Sequence, residues 1–208
     1  KYPEKVIIAS IMEEPIKERW QELTDKVCQA GADIIELNLS CPHGMPERKM
    51  GQAMGQCFEI VSDVTTWVKE AADGVPVWAK MTPNITDIMI PAQAAIKAGA
   101  DGLTAINTIL SVSGINLDDF RPIPSVKGIA VPGGYSYKAV KPIALRFVME
   151  LARTFPKVNL SGVGGIVDGQ SSAEFLCLGS NTLQVCTAIM LDGFRIIDDL
   201  KKDLMVAW

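Results

Sequence analysis

Apolar runs alternate with amphipathic stretches along the whole chain. Val6-Ile7-Ile8-Ala9-Ser10-Ile11 predicts a first strand. Residues 14–30 place Trp20, Leu23, Val27 and Ala30 on one stripe, which predicts a helix ending at Gly31. The alternation continues with strands over 32–39, 75–81, 103–107, 158–163 and 181–186. Helical spacing fills 58–72, 86–98, 142–154, 170–178 and 193–207, with Pro142 at a suitably early helical position. The strands read as continuous apolar runs, the sign of a parallel sheet covered by helices. Two stretches break the pattern. Residues 44–57 carry Gly44, Gly51 and Gly55, and 108–139 are rich in Gly, Pro and Ser. Loops of that length are usually functional.

Six strand–helix units result. Gly-Ala-Asp stands before two strands, at 31–33 and 99–101, and Gly179-Ser180-Asn181 holds the matching place before the last. The recurrence favours a (β/α)₈ TIM barrel over an open doubly wound sheet. The open sheet would usually carry a glycine-rich loop after its first strand, where this chain has Ser10-Ile11-Met12. The expected fold is therefore α/β, a barrel of which about six of eight units are present. Residues 1–208 form one domain in this reading, and two units lie upstream of residue 1.

At 48% hydrophobic, the chain has material for a large core. Its net charge of −4 comes without a Lys/Arg cluster, which argues against nucleic acid as a partner. The five cysteines show no CxxC pairing, so neither a disulfide framework nor a metal site is expected, and the usage fits a reducing cytoplasm. No apolar run approaches the roughly 18 residues of a membrane span, and no signal peptide is visible.

In a barrel, chemistry gathers at the C-terminal ends of the strands. Those ends carry Asn38, Ser40, Cys41 and His43, then Lys80, then Asn107 and Thr108, then Gly162, Gly164 and Gly165, and finally Cys186 and Thr187. Pro42 takes the first group out of the sheet into a loop. Lys80 is either a rim lysine reaching solvent or a cation facing an anionic ligand, since a lone desolvated ammonium is costly. The 162–165 glycines follow the penultimate strand, a position where barrels often bind phosphate through backbone N–H groups, and Thr187 can add a hydroxyl. Asn38 and Asn107 either cap local turns or read the donors and acceptors of a planar heterocycle. Cys41 suits a general acid as well as a nucleophile, since a thiol carries a proton to give and its thiolate attacks. A Cys–His protease would need an orienting third group and an oxyanion hole, and the sequence offers neither.

Asn38-Leu-Ser-Cys-Pro-His43, Ala79-Lys-Met-Thr-Pro-Asn84, Ala105-Ile-Asn-Thr108, Lys141-Pro-Ile-Ala-Leu-Arg146, Gly162-Val-Gly-Gly-Ile166 and Leu183-Gln-Val-Cys-Thr187 occur in this order over essentially the whole chain. Together they resemble the FMN-dependent dihydropyrimidine dehydrogenases, in particular the bacterial catalytic subunit, within the dihydroorotate dehydrogenase-like barrels. The resemblance implies reduction of the 5,6 double bond of uracil or thymine in pyrimidine catabolism. FMN would give hydride to C6 and Cys41 a proton to C5, with Ser40 and His43 supporting the catalytic loop. It further implies that Asn38, Asn107 and Thr108 hold the pyrimidine. Lys80 would stabilise reduced flavin, while Gly164, Gly165, Cys186 and Thr187 take the FMN phosphate. Residues 44–56 would form a mobile lid. Iron–sulfur clusters, FAD and NAD(P)H would sit on a partner subunit or domain of a homo- or hetero-oligomer. One departure stands out: Tyr137 replaces a glycine of the family in a loop that approaches the flavin. Two other readings remain: a dihydroorotate dehydrogenase, and a non-catalytic barrel module that keeps the strand-end residues without binding flavin.

Overall fold

Six parallel strands organise the molecule in the order β1-β2-β3-β4-β11-β12. The structure is a computed structural model and describes residues 3–41, 51–126, 129–130 and 132–207. The first half runs β1 (Ile8–Ile11), α1 (Lys17–Gln29), β2 (Ile34–Asn38), α2 (Gln52–Gly55), α3 (Phe58–Ala71), β3 (Val77–Lys80), α4 (Met89–Lys97) and β4 (Gly102–Ala105). An excursion follows, made of β5 (Ile109–Ser111), β6 (Gly114–Asn116), β7 (Arg121–Ile123), β8 (Ser125–Val126), β9 (Ile129–Ala130) and β10 (Gly133–Tyr135). The chain then returns through α5 (Lys141–Thr154), β11 (Asn159–Val163), α6 (Gly169–Cys177), β12 (Thr182–Gln184), α7 (Thr187–Asp192) and α8 (Arg195–Ala207). The sheet is curled and helices cover its outer face, so the architecture is a partial TIM barrel. β1 and β12 are its edges, and Val6, Ile7 and Ile8 are exposed along the first.

The strands alternate once their two faces are separated, because successive side chains point to opposite sides of a sheet. Ile35, Leu37, Val77, Ala79, Leu103, Ala105 and Leu160 belong to one buried apolar cluster with Trp20, Phe147 and Phe175 from the helices. This is the outer face. The residues between them, Glu36, Lys80, Thr104 and Gln184, bond to one another across the inner face. Trp78 also lies inward, over Gly102, where any Cβ would come within 2.6 Å of the indole nitrogen. The continuous apolar reading of the strands is therefore corrected. Both faces are covered, but only one is apolar.

The Gly-Ala-Asp repeat has a physical cause at the opposite end of the strands. Gly31, Gly99 and Gly179 have φ of +84°, +96° and +107°, a conformation that suits glycine. Each follows a helix whose end is closed by Ala32 N–H on Val27, Ala100 N–H on Ala95, or Ser180 N–H on Phe175, the bond that terminates helices around a left-handed residue. The next side chain then clamps a neighbouring strand. Asp33 accepts from Ile7 N–H at 2.7 Å, Asp101 from Val77 N–H at 2.7 Å and Asn181 from Leu160 N–H at 2.8 Å. The backbone N–H of each clamp residue donates back to the carbonyl of the same partner. Asn serves as well as Asp because only an acceptor is needed.

Three sequence expectations change in detail. The excursion 108–139 is less irregular than expected, since β5 pairs with β10, β6 with β7 and β8 with β9, all antiparallel. The closing helix expected over 193–207 is α8, and a further short helix, α7, precedes it and ends at Gly193 with φ +74°. Residues 51–57, expected as part of a long loop, hold the short helix α2, and Met54 on it is fully buried.

Candidate active site

The strand ends deliver most of the expected residues to one cavity. It is lined by Lys80, Asn107, Thr108, Gly164, Gly165, Cys186 and Thr187, together with Ser136, Tyr137 and Gln184. Asn38, Ser40 and Cys41 do not line it. Asn38 joins it indirectly, because Asn107 Nδ2 donates to Asn38 Oδ1 at 2.9 Å. His43 lies outside the described residues.

Lys80 ends β3, and its ammonium is not a rim group reaching solvent. Its Nζ donates to Glu36 Oε1 at 3.1 Å and to Gln184 Oε1 at 2.9 Å. Glu36 Oε2 accepts from Gln184 Nε2 at 2.6 Å and from Thr104 Oγ1 at 2.8 Å. The Glu36 side chain is 5% exposed and that of Lys80 19%. An ion pair this buried needs additional hydrogen bonds to offset its desolvation, and Thr104 and Gln184 supply them. Sequence reasoning passed over Glu36 and Gln184. The signal was one carboxylate in the middle of the apolar run Ile34-Ile35-Glu36-Leu37.

The amides are engaged on their acceptor side. Asn38 Oδ1 takes Asn107 Nδ2 and, at 3.4 Å, Ser40 N–H, while Asn107 Oδ1 takes Thr108 N–H at 2.8 Å. Among the described residues the Asn38 Nδ2 donors remain available to a ligand. Ser40 is 1% exposed, and among the described residues neither its Oγ nor the buried Thr108 Oγ1 has a hydrogen-bond partner. Orphaned hydroxyls in a native interior call for a reason, and a ligand is one. Cys41 is half-buried at the end of the described segment.

Asn84 is a third residue whose part in the site the sequence pattern did not mark. Its Nδ2 donates to the Thr108 carbonyl at 3.1 Å and its Oδ1 accepts from Leu110 N–H at 2.8 Å, which fixes the chain leaving β4. Gln56 Nε2 donates to the Asn84 carbonyl at 2.6 Å and so ties the end of α2 to the same corner. Gly55 lets α2 lie against the strand end, since a Cβ there would meet the Leu39 carbonyl at 2.8 Å. Of the expected mobile lid, the described portion is thus packed down on Leu39 and Ser40.

Gly164 and Gly165, with φ of +130° and +82°, form the opposite wall. A Cβ on Gly165 would lie 2.8 Å from both the Tyr137 carbonyl and Lys141 Cβ, so the loop after β10 and the start of α5 press directly on this turn. Ser136 Oγ and Thr187 Oγ1 are 2.9 Å apart and close the wall from the other side. Tyr137 has φ +74° and ψ −159°, a backbone state nearly reserved for glycine, and costs of order 1–3 kcal/mol attach to such residues. The departure seen in the sequence is therefore accommodated with the backbone a glycine would adopt. Beyond the glycines, Asp168 caps α6 by accepting from Ser171 N–H at 2.7 Å, and hydrogen bonds from Ser171 hold its carboxyl below the ordinary carboxylate range. Among the described residues no cluster of His, Cys, Asp and Glu is arranged to hold a metal ion, and no helix is long and apolar enough to cross a membrane.

A chemically mixed cavity of this kind, a buried cation beneath a glycine-walled cleft beside a pair of amides, suits a planar polar ligand that also carries an anionic group. Comparison with known proteins agrees with that outline. The family model described as dihydroorotate dehydrogenase matches residues 1–207. The chain is 51% identical over 208 residues to "Dihydropyrimidine dehydrogenase (NADP(+)), chloroplastic" of Arabidopsis thaliana, covering 98% of this chain and 49% of that protein. It is 48% identical over 206 residues to "NAD-dependent dihydropyrimidine dehydrogenase subunit PreA" of Escherichia coli strain K12, with 98% and 49% covered. It is also 44% identical over 173 residues to "Dihydroorotate dehydrogenase B (NAD(+)), catalytic subunit" of Pyrococcus abyssi, covering 83% of this chain and 54% of that protein. The chain spans about half the length of the curated relatives it matches. With the fold, the strand-end cavity and a match over 1–207 in agreement, the chain belongs to the dihydroorotate dehydrogenase family.

Proposed function

We propose that this chain forms most of an FMN-dependent barrel that reduces uracil or thymine to the 5,6-dihydropyrimidine. The observation that carries the proposal is the shared cavity of Lys80, Asn107, Thr108, Gly164, Gly165 and Thr187, with Asn38 bonded to its rim. The residues fit the cofactor. Lys80 offers a positive charge to the electron-rich edge of a flavin ring, and the Gly164-Gly165 turn with Thr187 offers backbone and hydroxyl donors to a phosphate. Bound FMN would supply the hydride. The chain's own residues would do the rest. Asn38, Asn107 and Thr108 orient the pyrimidine through amide and hydroxyl groups, and among the described residues the Thr108 hydroxyl has no partner. Cys41 donates the proton to C5, and Ser40 and His43 support its loop. The two open sheet edges, and relatives about twice as long, support a barrel closed by further strands in the whole protein. Electrons would arrive from a flavin and iron–sulfur partner subunit or domain. The name of the E. coli relative as one subunit of an NAD-dependent enzyme supports that arrangement.

A second reading, dihydroorotate dehydrogenase, has a relative in its favour. The dihydropyrimidine dehydrogenases match more of this chain at higher identity, which favours the first reading. The test is single-turnover reoxidation of the dithionite-reduced, FMN-loaded full-length protein. Uracil is expected to reoxidise the flavin band and orotate is not. Reoxidation by orotate alone would replace the first reading with the second, and reoxidation by neither would support a non-catalytic barrel.

A further inference from the structure

We propose that Glu36 is the positioning residue for Lys80: it holds the ammonium beneath the cavity and sets how much positive charge the cavity feels. The inference rests on the reading of the cavity as a flavin site. Glu36 lies on β2, two residues before Asn38, and Asn38 pairs in register with Lys80 on β3. The two side chains therefore share the inner face, with Glu36 deeper and Lys80 at the mouth. The bonds form a closed ring. Lys80 Nζ donates to Glu36 and to the Gln184 carbonyl oxygen, and the Gln184 amide nitrogen donates to Glu36. This ring also assigns the Gln184 amide, because reversing it would point its nitrogen at the ammonium and its oxygen at the carboxylate. Thr104 adds one more donor to Glu36.

The chemistry follows from counting donors. An ammonium has three N–H groups, and two are taken by Glu36 and Gln184. The third is what Lys80 can offer to the cavity it lines. Glu36 thus acts twice: it fixes the direction of the free donor, and its negative charge offsets the ammonium as seen by a ligand. A ligand that gains negative charge on reduction would feel a stronger cation if that carboxylate were neutral. Stability alone gives little reason for a buried ion pair here, since well-packed apolar side chains can serve as well or better. Its place directly under the strand-end cavity is the reason offered instead.

The experiment compares Glu36→Gln with Glu36→Asp in the full-length protein. Gln keeps the shape and removes the charge, whereas Asp keeps the charge and shortens the reach. First, in flavin-free protein, acylation of Lys80 by an amine-reactive ester is followed by peptide mass spectrometry, with exposed Lys97 as the internal reference. Several-fold faster acylation is expected in Glu36→Gln, because the amine is no longer held on the strand floor by a carboxylate and reaches the ester more freely. Second, the midpoint potential of bound FMN is measured by spectroelectrochemistry. It should move positive in Glu36→Gln and stay nearer the wild type in Glu36→Asp. A purely structural Glu36 would make Asp at least as disruptive as Gln in both readouts. That pattern, or unchanged Lys80 reactivity in Glu36→Gln, would overturn the inference. If the wild-type protein fails to take up FMN, the proposed function falls and this inference with it, a failure visible before any variant is made.

Discussion

The two faces of the same strands obey opposite rules. On the outer face Ile35, Leu37, Val77, Ala79, Leu103 and Leu160 meet the helices in one apolar cluster. On the inner face Glu36, Asn38, Lys80, Thr104 and Gln184 form hydrogen-bonded pairs and rings. The two sets lie one residue apart along each strand. Burial on the outer face stabilises by roughly 25 cal/mol per Å² of apolar surface and asks only for matching volume. On the inner face each buried polar group needs its own partner, and an unpaired one costs about 1–3 kcal/mol or more. The difference suggests that the outer face supports the fold while the inner face is maintained for a ligand.

Substitutions on either face can break or sharpen that division. The largest effect is expected in the loop after β2: Cys41→Ala should lower steady-state uracil reduction by about 10²–10⁴-fold, the range of a positioned acid, with an unchanged melting temperature. An active variant would remove Cys41 from the acid role. On the outer side Phe147→Ala should cost about 3–5 kcal/mol in urea unfolding, because a buried ring leaves a cavity behind. Once folded, it should still bind FMN as the wild type does; a selective loss of FMN would erase the division between the faces.

Asp101→Ala tests the repeat at the N-terminal ends of the strands. It removes the acceptor for Val77 N–H and the 2.7 Å partner of Lys69. A loss of about 1–3 kcal/mol in the same assay is expected, again without effect on turnover. The smallest effect concerns Asp168, whose carboxyl is held below its ordinary range chiefly by hydrogen bonds from Ser171. A depressed folded-state pKa contributes stability above the unfolded-state value, and that contribution disappears as pH falls through the folded one. Asp168→Ala should therefore cost about 1 kcal/mol near neutral pH, the usual worth of a helix cap, and progressively less in acid. A cost that grows in acid would contradict this sign.

The order of strands and helices was legible because each apolar run and each helical stripe is long enough to show its period. So was the Gly-Ala-Asp repeat, although only the structure reveals Asp33, Asp101 and Asn181 as clamps on neighbouring strands. The excursion was not legible. Its strands are two or three residues long, too short to display alternation, and β7 contains Pro122. Nor was α7, whose six residues are too few to display a helical stripe, whereas α8 falls within the expected 193–207. In the candidate site, residues at strand ends were visible because polar groups stand out where an apolar run stops. Glu36, Thr104 and Gln184 were hidden inside the runs, where one polar residue between apolar neighbours reads as noise until both faces are seen. Asn84 was hidden for another reason: its role depends on Thr108 and Leu110, which the fold brings to it from beyond β4.

The claim that the inner face serves a flavin is tested most directly by titrating the full-length protein, freed of cofactor, with FMN while recording the visible spectrum. Lys80→Gln is titrated in parallel, because glutamine removes the charge yet can still donate a hydrogen bond to Glu36. The account predicts saturable binding by the wild type. In the variant it predicts binding weaker by about tenfold or more, the equivalent of roughly 1.4 kcal/mol and within the range of a hydrogen bond from a charged donor. No saturable spectral change in the wild type, or equal affinity in Lys80→Gln, would contradict it.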